Sequence, residues 1–379
     1  MGLLRNKIES TMKGGTETPI VSFASILYMI SIGYGGIQRL RGMLYGKNIL
    51  KSRRLPCKVV SIGNIAVGGT GKTPMTIDVA NRIKALGYTV VVISRGYKGE
   101  AEKKEALVSD GKTIFLGSEI AGDEPFMLAC RLQGMPVIVG RDRFAAGMLA
   151  VKHFHPEVVV LDDGFQHLRL ARDMDFVLLD YIRPFGNSHL LPRGILREPI
   201  AALYRSDACI LTRTNMDSSS APGSVVDRLQ AEVPQCPVFS SSHTPYYYAI
   251  PAATKAPFDQ LSRQPSADDF TFLTGRTVMA FSGIARNDDF RQTIEALNCK
   301  ATGFLEFRDH HRYSETDITR IIQAAKKITA EILITTEKDY ARIAAETVWP
   351  LDLIVIGVKI SFGEDERRFD DFLKKRLAD

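Results

Sequence analysis

The eight residues Ala66–Thr73, AVGGTGKT, limit what this chain can fold into more than any other stretch. They follow Val59-Val60-Ser61-Ile62, an apolar run of strand length, and open a helical pattern that runs from about Thr73 to Leu86 and ends at Gly87. Strand, glycine-rich turn and helix is the context of a phosphate-binding loop, G-x-x-x-x-G-K-[ST]. Gly71, Lys72 and Thr73 match that pattern, while Ala66 stands where its first glycine belongs. Gly68 and Gly69 let backbone N–H groups turn toward an anion, and the helix start adds partial positive charge. A lysine there neutralises β- and γ-phosphate, and a hydroxyl at the next position suits Mg²⁺. A glycine-rich turn can also be nothing more than a turn, a reading that Ala66 favours and that the intact GKT between strand and helix opposes. Ala66, Val67, Gly68, Gly69, Thr70, Gly71, Lys72 and Thr73 are therefore expected to bind a nucleoside triphosphate.

A second acidic feature agrees with this. Val158–Leu161 is an apolar strand that ends in Asp162-Asp163, where a phosphate-loop enzyme needs carboxylates for Mg²⁺ and its waters. DDG is also a good turn sequence, and two adjacent carboxylates need a nearby cation to stay ionised together. Further strands are expected at 88–93, 136–139, 176–179 and 208–211. Such continuous β-branched runs between helical stretches indicate an α/β fold: a parallel sheet of phosphate-loop NTPase type with helices on both faces. A proline-rich stretch over 234–270 reads as a junction. A smaller α/β unit then begins, with strands at 278–282, 331–335 and 353–357 and a helix from about Asp288 to Leu297. The expected organisation is an N-terminal apolar and polybasic segment (1–50), a kinase-type domain (51–233), a linker (234–270) and a smaller domain (271–379). Residues 215–224, NMDSSSAPGS, read as a surface loop.

Charge locates a surface. Between residues 39 and 58 lie seven cations and no acid: Arg39, Arg41, Lys47, Lys51, Arg53, Arg54 and Lys58. The whole chain carries +6, so the remainder is close to neutral, unlike a nucleic-acid binder with cations spread over a face. The uncharged stretch from Thr18 to Gln38 precedes them and is long enough to span a bilayer, yet serines and glycines interrupt it. It reads as a buried helix, a spanning helix or an interfacial anchor. The cations favour the anchor, since a polybasic segment beside an apolar helix is drawn to anionic lipid. They also place the rest of the chain on the cytoplasmic side. Five scattered cysteines without a CxxC pair exclude a disulfide scaffold or zinc knuckle and fit a reducing compartment.

A GTPase would need an N/T-K-x-D base-recognition motif; Thr336-Glu337-Lys338-Asp339 has its letters in the wrong order. A kinase needs a group to take the proton of the attacking hydroxyl. His310 beside Asp309 is one candidate, and Asp123 in GDEP is another, although a carboxylate at a helix start can equally be a cap.

Taken in order, SIGNIAVGGTGKTP (61–74), SRGYKG (94–99), GDEP (122–125), VGRDR (139–143), LDDGFQH (161–167), LPRGILREP (191–199), FSGIAR (281–286), FRDHHRY (307–313) and TTEKD (335–339) form a specific set. The chain resembles the tetraacyldisaccharide 4′-kinases, the lipid A 4′-kinases of Gram-negative bacteria, from the apolar N-terminal stretch to about residue 340. In that family the first phosphate-loop glycine is also missing, so Ala66 is no departure from it. The resemblance implies transfer of the γ-phosphoryl group of ATP, with Mg²⁺, to the 4′-hydroxyl of an acylated, 1-phosphorylated glucosamine disaccharide. It implies that Lys72 and Thr73 hold phosphates and metal, that Asp162 and Asp163 are metal-side carboxylates, and that Gln166 and His167 lie beside them. Asp123, paired with His310, would activate the hydroxyl, with Asp309 behind, and closure of the two domains would assemble the site. Arg95, Arg197, Glu198, Gln166 and His167 are the expected acceptor contacts. The expected partners are a lipid and the cytoplasmic face of the inner membrane, with no nucleic acid and no protein partner. The rivals are a soluble phosphate-loop metabolite kinase and an ATP-dependent switch protein.

Overall fold

The structure, a computed structural model, describes residues 8, 11–12, 23–215, 223–262 and 266–378. Its strands, in chain order, are β1 (Lys58–Asn64), β2 (Val90–Ser94), β3 (Ala106–Ser109), β4 (Val137–Val139), β5 (Val158–Asp162), β6 (Met174–Asp180), β7 (Ala208–Thr212), β8 (Val238–Ile250), β9 (Thr277–Ser282), β10 (Ala301–Glu306), β11 (Ile332–Thr336) and β12 (Asp352–Ser361). The chain forms two compact units, one from residues 1–90, 143–243 and 360–379, the other from residues 91–142 and 244–359.

In the first unit β5, β1, β6, β7 and the start of β8 pair in that order, all parallel. β1 and β5 are in register Lys58↔Val158 through Ile62↔Asp162, which brings the phosphate loop and the paired aspartates to neighbouring strand ends. β5, β6 and β7, and β1 after Lys58, are buried throughout, as expected where helices cover both faces. The helix Lys72–Ala85 buries Met75, Val79, Ala80 and Ile83, the i, i+4, i+8 stripe of an amphipathic helix. The C-terminal helix Glu366–Ala378 belongs here as well. Its Phe369 packs on Phe176 and Phe239, and Arg82 pairs with Asp78, Glu366 and Asp370.

The N-terminal helix Phe23–Gly46 also packs on this unit, on one face only. Leu27, Ser31 and Gly35 are buried, Ser31 Oγ donates to the Leu190 carbonyl at 2.8 Å, and the Tyr34 hydroxyl donates to the Arg197 carbonyl at 2.7 Å. Leu190 lies so close that a Cβ on Gly35 would meet it at 2.7 Å. The opposite face exposes Ile26, Met29, Ile30, Ile32, Ile37, Leu40 and Met43. The helix is thus not buried all round, and no helix of the described residues is long and apolar enough to cross a membrane. Residues 18–22 of the apolar stretch, like 216–222 of the expected surface loop, lie outside the described residues.

In the second unit β9 pairs parallel with β10 and β11, and β11 parallel with β12. β2 pairs parallel with β4, and β4 antiparallel with β3. Residues 91–142, which sequence order alone puts in the phosphate-loop domain, group with 244–359 because their helix Asp123–Arg131 buries Met127 and Cys130 in one core with Phe281, Leu333 and Trp349. The proline-rich junction contains the 13-residue strand β8 rather than a bare linker. Its pairing with β7 ends at Ser241, before Pro245, so that proline removes no hydrogen bond from this ladder.

Candidate active site

The phosphate loop leaves β1 at Asn64, whose Nδ2 donates to Thr70 Oγ1 at 3.0 Å. Ala66 forms an antiparallel bridge with Leu196, and the Val67 N–H donates to the Ile195 carbonyl at 2.8 Å. The position of the missing glycine is therefore a short extension of sheet, where alanine costs nothing. The left-handed turns fall later, at Gly68 (φ +119°) and Gly71 (φ +78°). Gly71 caps the helix without a side chain, so the first-turn amides, which have no partner within the helix, face the loop. A Cβ at Gly71 would also meet His243 Nε2 at 2.7 Å.

Asp162 and Asp163 end β5 on different errands. Asp162 is buried and accepts from Thr76 Oγ1 at 3.2 Å, one helical turn after Thr73. Asp163 turns out in a left-handed conformation (φ +54°). Arg197 Nη1 meets both its oxygens, at 3.1 and 3.0 Å, and Lys72 Nζ lies 3.7 Å away. Burial pushes the Asp163 carboxyl up, but Lys72, Arg197 and Arg143 outweigh it and hold the group below the usual carboxylate range. The hydroxyl of Thr73 and these two carboxylates are hard oxygen donors, the set Mg²⁺ prefers. Among the described residues no cluster of three or more His, Cys, Asp or Glu groups could hold a metal alone.

In the other unit Asp123 begins its helix and does not cap it: its carboxylate meets His310 Nδ1 at 2.9 Å and accepts from Arg342 Nε at 2.7 Å. The carboxylate therefore engages His310 and Arg342 rather than capping the helix, whose N-cap is Gly122. His310 sits in a left-handed turn (φ +62°), with Asp309 Oδ2 3.8 Å from its Nε2 and the Tyr97 ring edge-on at 5.8 Å. Gly99 fixes the SRGYKG turn beside this pair, since a Cβ there would come within 2.5 Å of the Gly122 nitrogen. Burial raises the Asp123 carboxyl, and His310 and Arg342 more than reverse it, leaving it below the ordinary range.

Other expected acceptor contacts are placed differently. Gln166 Nε2 donates to the Asn64 carbonyl at 2.7 Å and its backbone carbonyl accepts from Arg41, so it braces the end of β1. His167 lies in the same turn, its carbonyl accepting from Arg172 Nη1 at 2.9 Å. Arg197 serves Asp163, and Glu198 is buried on Arg205, its carboxylate turned inward. Arg95 is exposed, with Nε donating to Glu102 at 2.9 Å and its guanidinium over the Tyr97 ring. The sequence alone assigns no role to Arg342, nor to Asp339 within TTEKD. Nothing marks Arg342 in the sequence, whereas Asp339, a charged residue soon after the apolar run 332–334, is a usable signal.

The family model described as tetraacyldisaccharide-1-P 4′-kinase matches residues 23–378. The chain belongs to that family. A protein of Desulfatibacillum aliphaticivorans named tetraacyldisaccharide 4′-kinase is 39% identical over 378 residues, covering 100% of this chain and 99% of its own. One of the same name from Pelobacter propionicus is 42% identical over 328 residues, 86% and 84% of the two chains. A crystal structure of the Aquifex aeolicus family member LpxK in complex with ATP superposes with a TM-score of 0.71 at 30% identity, covering 94% of this chain and 99% of that one. Membership fixes the α/β fold and the enzyme class, a kinase that uses ATP.

Proposed function

We propose that this family member transfers the γ-phosphoryl group of ATP to the 4′-hydroxyl of a tetraacyldisaccharide 1-phosphate. The observation that carries the reading is the Asp123–His310 hydrogen bond at 2.9 Å, held in a protein that also has a phosphate loop. A hydrolytic switch needs only to position water; an alcohol acceptor must lose a proton, and Asp123 backed by His310 is built to take it. Lys72 neutralises charge on the β- and γ-phosphates. Bound at Thr73 and Asp162–Asp163, Mg²⁺ would supply further charge neutralisation at the phosphates. Asp163, engaged by Arg197 and Lys72, keeps the lysine aimed at the loop.

A four-chain acceptor leaves a bilayer only at about 0.8 kcal/mol per exposed CH₂, so the enzyme works at the lipid surface. The exposed apolar face of helix Phe23–Gly46 and the exposed cations Arg39, Lys47, Lys51, Arg53 and Arg54 support peripheral attachment to the cytoplasmic face of the inner membrane. The test incubates the full chain with γ-labelled ATP and tetraacyldisaccharide 1-phosphate in detergent micelles. Label in the lipid is the expected outcome. ATP hydrolysis without lipid labelling would bring the switch reading forward, and label only in a water-soluble alcohol would favour a metabolite kinase.

A further inference from the structure

Arg342 is the least exposed cation of the second unit's polar cluster: its side chain is 2% exposed and the Asp339 side chain beside it 0%. Each of its three guanidinium nitrogens has a polar neighbour. Nε donates to Asp123 Oδ2 at 2.7 Å, Nη1 donates to the Gly283 carbonyl at 3.0 Å and meets Asp339 Oδ1 at 3.3 Å, and Nη2 lies 3.3 Å from His310 Nδ1. Asp339 is itself clamped by the Gly283 N–H, the Tyr313 hydroxyl and the Thr336 hydroxyl, at 2.9, 3.0 and 2.6 Å. A planar fork anchored on two fixed acceptors has one orientation left, and it delivers Nε to a single carboxylate oxygen.

We infer that Arg342 is a positioning residue for the proposed phosphoryl transfer, holding the Asp123 carboxylate ionised and aimed at His310 Nδ1. The inference rests on the kinase reading for its consequence in turnover, but the electrostatics stand without it. Burial of the Asp123 carboxyl favours its protonated form, and the His310 hydrogen bond and the Arg342 guanidinium both oppose this. A proton on Asp123 at working pH would block the base. The other charged and titratable groups around the pair are Asp309, 3.8 Å from His310 Nε2, and Glu124, which Lys338 engages at 3.3 Å, with Tyr97 on the ring edge. None of these is a second cation on Asp123.

The experiment uses the full-length protein with Arg342→Met and Arg342→Lys. Arg342→Met should lower kcat about 100-fold at neutral pH, leave KM for ATP unchanged, and move the acidic limb of the kcat profile upward by at least one pH unit, so that part of the loss returns at higher pH. Arg342→Lys keeps the charge without the fork; it should leave the limb in place and lower kcat about 10-fold. Equal losses at every pH in both variants would overturn the inference, as would an unmoved limb in Arg342→Met. Titration of the Asp123 carboxyl by carbon-13 NMR, without substrates, decides the electrostatic claim independently: the midpoint should rise in Arg342→Met and not in Arg342→Lys. If the wild type phosphorylates no lipid, the functional reading fails while that titration still tests Arg342. If Arg342→Met does not fold, Asp339→Asn, which frees the fork without removing the cation, should reproduce the kcat loss with an unmoved limb; unchanged kcat in that variant would overturn the inference.

Discussion

The two halves of the proposed chemistry are built in opposite ways. The phosphate loop is contiguous: eight residues between one strand and one helix carry the lysine, the hydroxyl and the glycine turns, and only Asp162–Asp163 come from the neighbouring strand. The acid–base cluster is assembled from segments far apart in sequence, Asp123, His310, Asp339 and Arg342, each useless alone. A local motif tolerates a change such as Ala66 because its geometry comes from a few backbone turns. A dispersed cluster depends on a packed unit to bring its members within hydrogen-bonding reach.

The sharpest separation of the two comes from Lys72→Ala beside Asp123→Asn. Lys72→Ala should lower kcat/KM by about 10³-fold or more, because charge on the transferred group loses its nearest cation. Asp123→Asn keeps the shape but not the proton acceptor and should lower kcat by about 10²- to 10³-fold, with nucleotide binding intact. Equilibrium binding of a fluorescent ATP analogue checks the split: weakened in the first variant, unchanged in the second. If both weaken nucleotide binding alike, the comparison between a binding loop and an acid–base cluster breaks.

Gly99→Ala asks whether the dispersed cluster is as sensitive to backbone as to charge. The new Cβ would lie 2.5 Å from the Gly122 nitrogen and 2.6 Å from the Ala121 carbonyl carbon, both backbone atoms that cannot swing away. Overpacking of this kind costs about 1–3 kcal/mol, read as a lower urea midpoint, and here it should also displace Asp123 and depress kcat. Gly69→Ala in the phosphate loop, where a Cβ meets nothing within 4 Å, should leave stability nearly unchanged. Equal destabilisation by the two would mean that neither unit's backbone is specially constrained.

The same contrast explains what is legible in the sequence. The parallel strands of the first unit announce themselves as unbroken β-branched runs, and the helix after the loop is readable to within a residue or two of Lys72–Ala85. β10 escapes that pattern because ATGFLE carries no such run, and β8 because Pro245 and the flanking Pro237 and Pro251 mask a strand whose pairing with β7 ends at Ser241. Asp123 and His310 are visible as candidates, but nothing within 20 residues of either says that they touch. Arg342 is invisible for the same reason: its role is defined by Asp123, 219 positions away. Charge and polarity in a motif suggest a ligand at Glu198 and Gln166, while the contacts these side chains make inside the fold, to Arg205 and to the Asn64 carbonyl, are not legible in the sequence.

The smallest expected effect concerns the helix that begins just after the histidines. Ser314 caps Glu315–Lys327 with a capping box: its Oγ accepts from the Asp317 N–H at 3.2 Å, and Asp317 Oδ2 accepts from the Ser314 N–H at 2.9 Å. Asp317 Oδ2 also meets His311 Nε2 at 3.0 Å, so the box ties down the turn that presents His310. Ser314→Ala should cost about 1 kcal/mol of stability. The Asp317 carboxyl is raised by burial and lowered by more through the Ser314 hydroxyl and N–H and by His311, so it sits below its ordinary value in the folded state. A group depressed on folding adds stability that is fully present above its unfolded pKa, about 3.9, and is lost as pH falls through the lower folded value. Removing the Ser314 hydroxyl removes part of that depression. The stability gap between wild type and Ser314→Ala should therefore be constant from pH 7 down to about 5 and narrow below about 4. Urea midpoints measured across that range decide it, and a gap that widened in acid would mean the cap acts through the neutral carboxyl instead. Turnover by Ser314→Ala should fall no more than a few-fold, because the Arg342 fork still holds the far side of the acid–base pair.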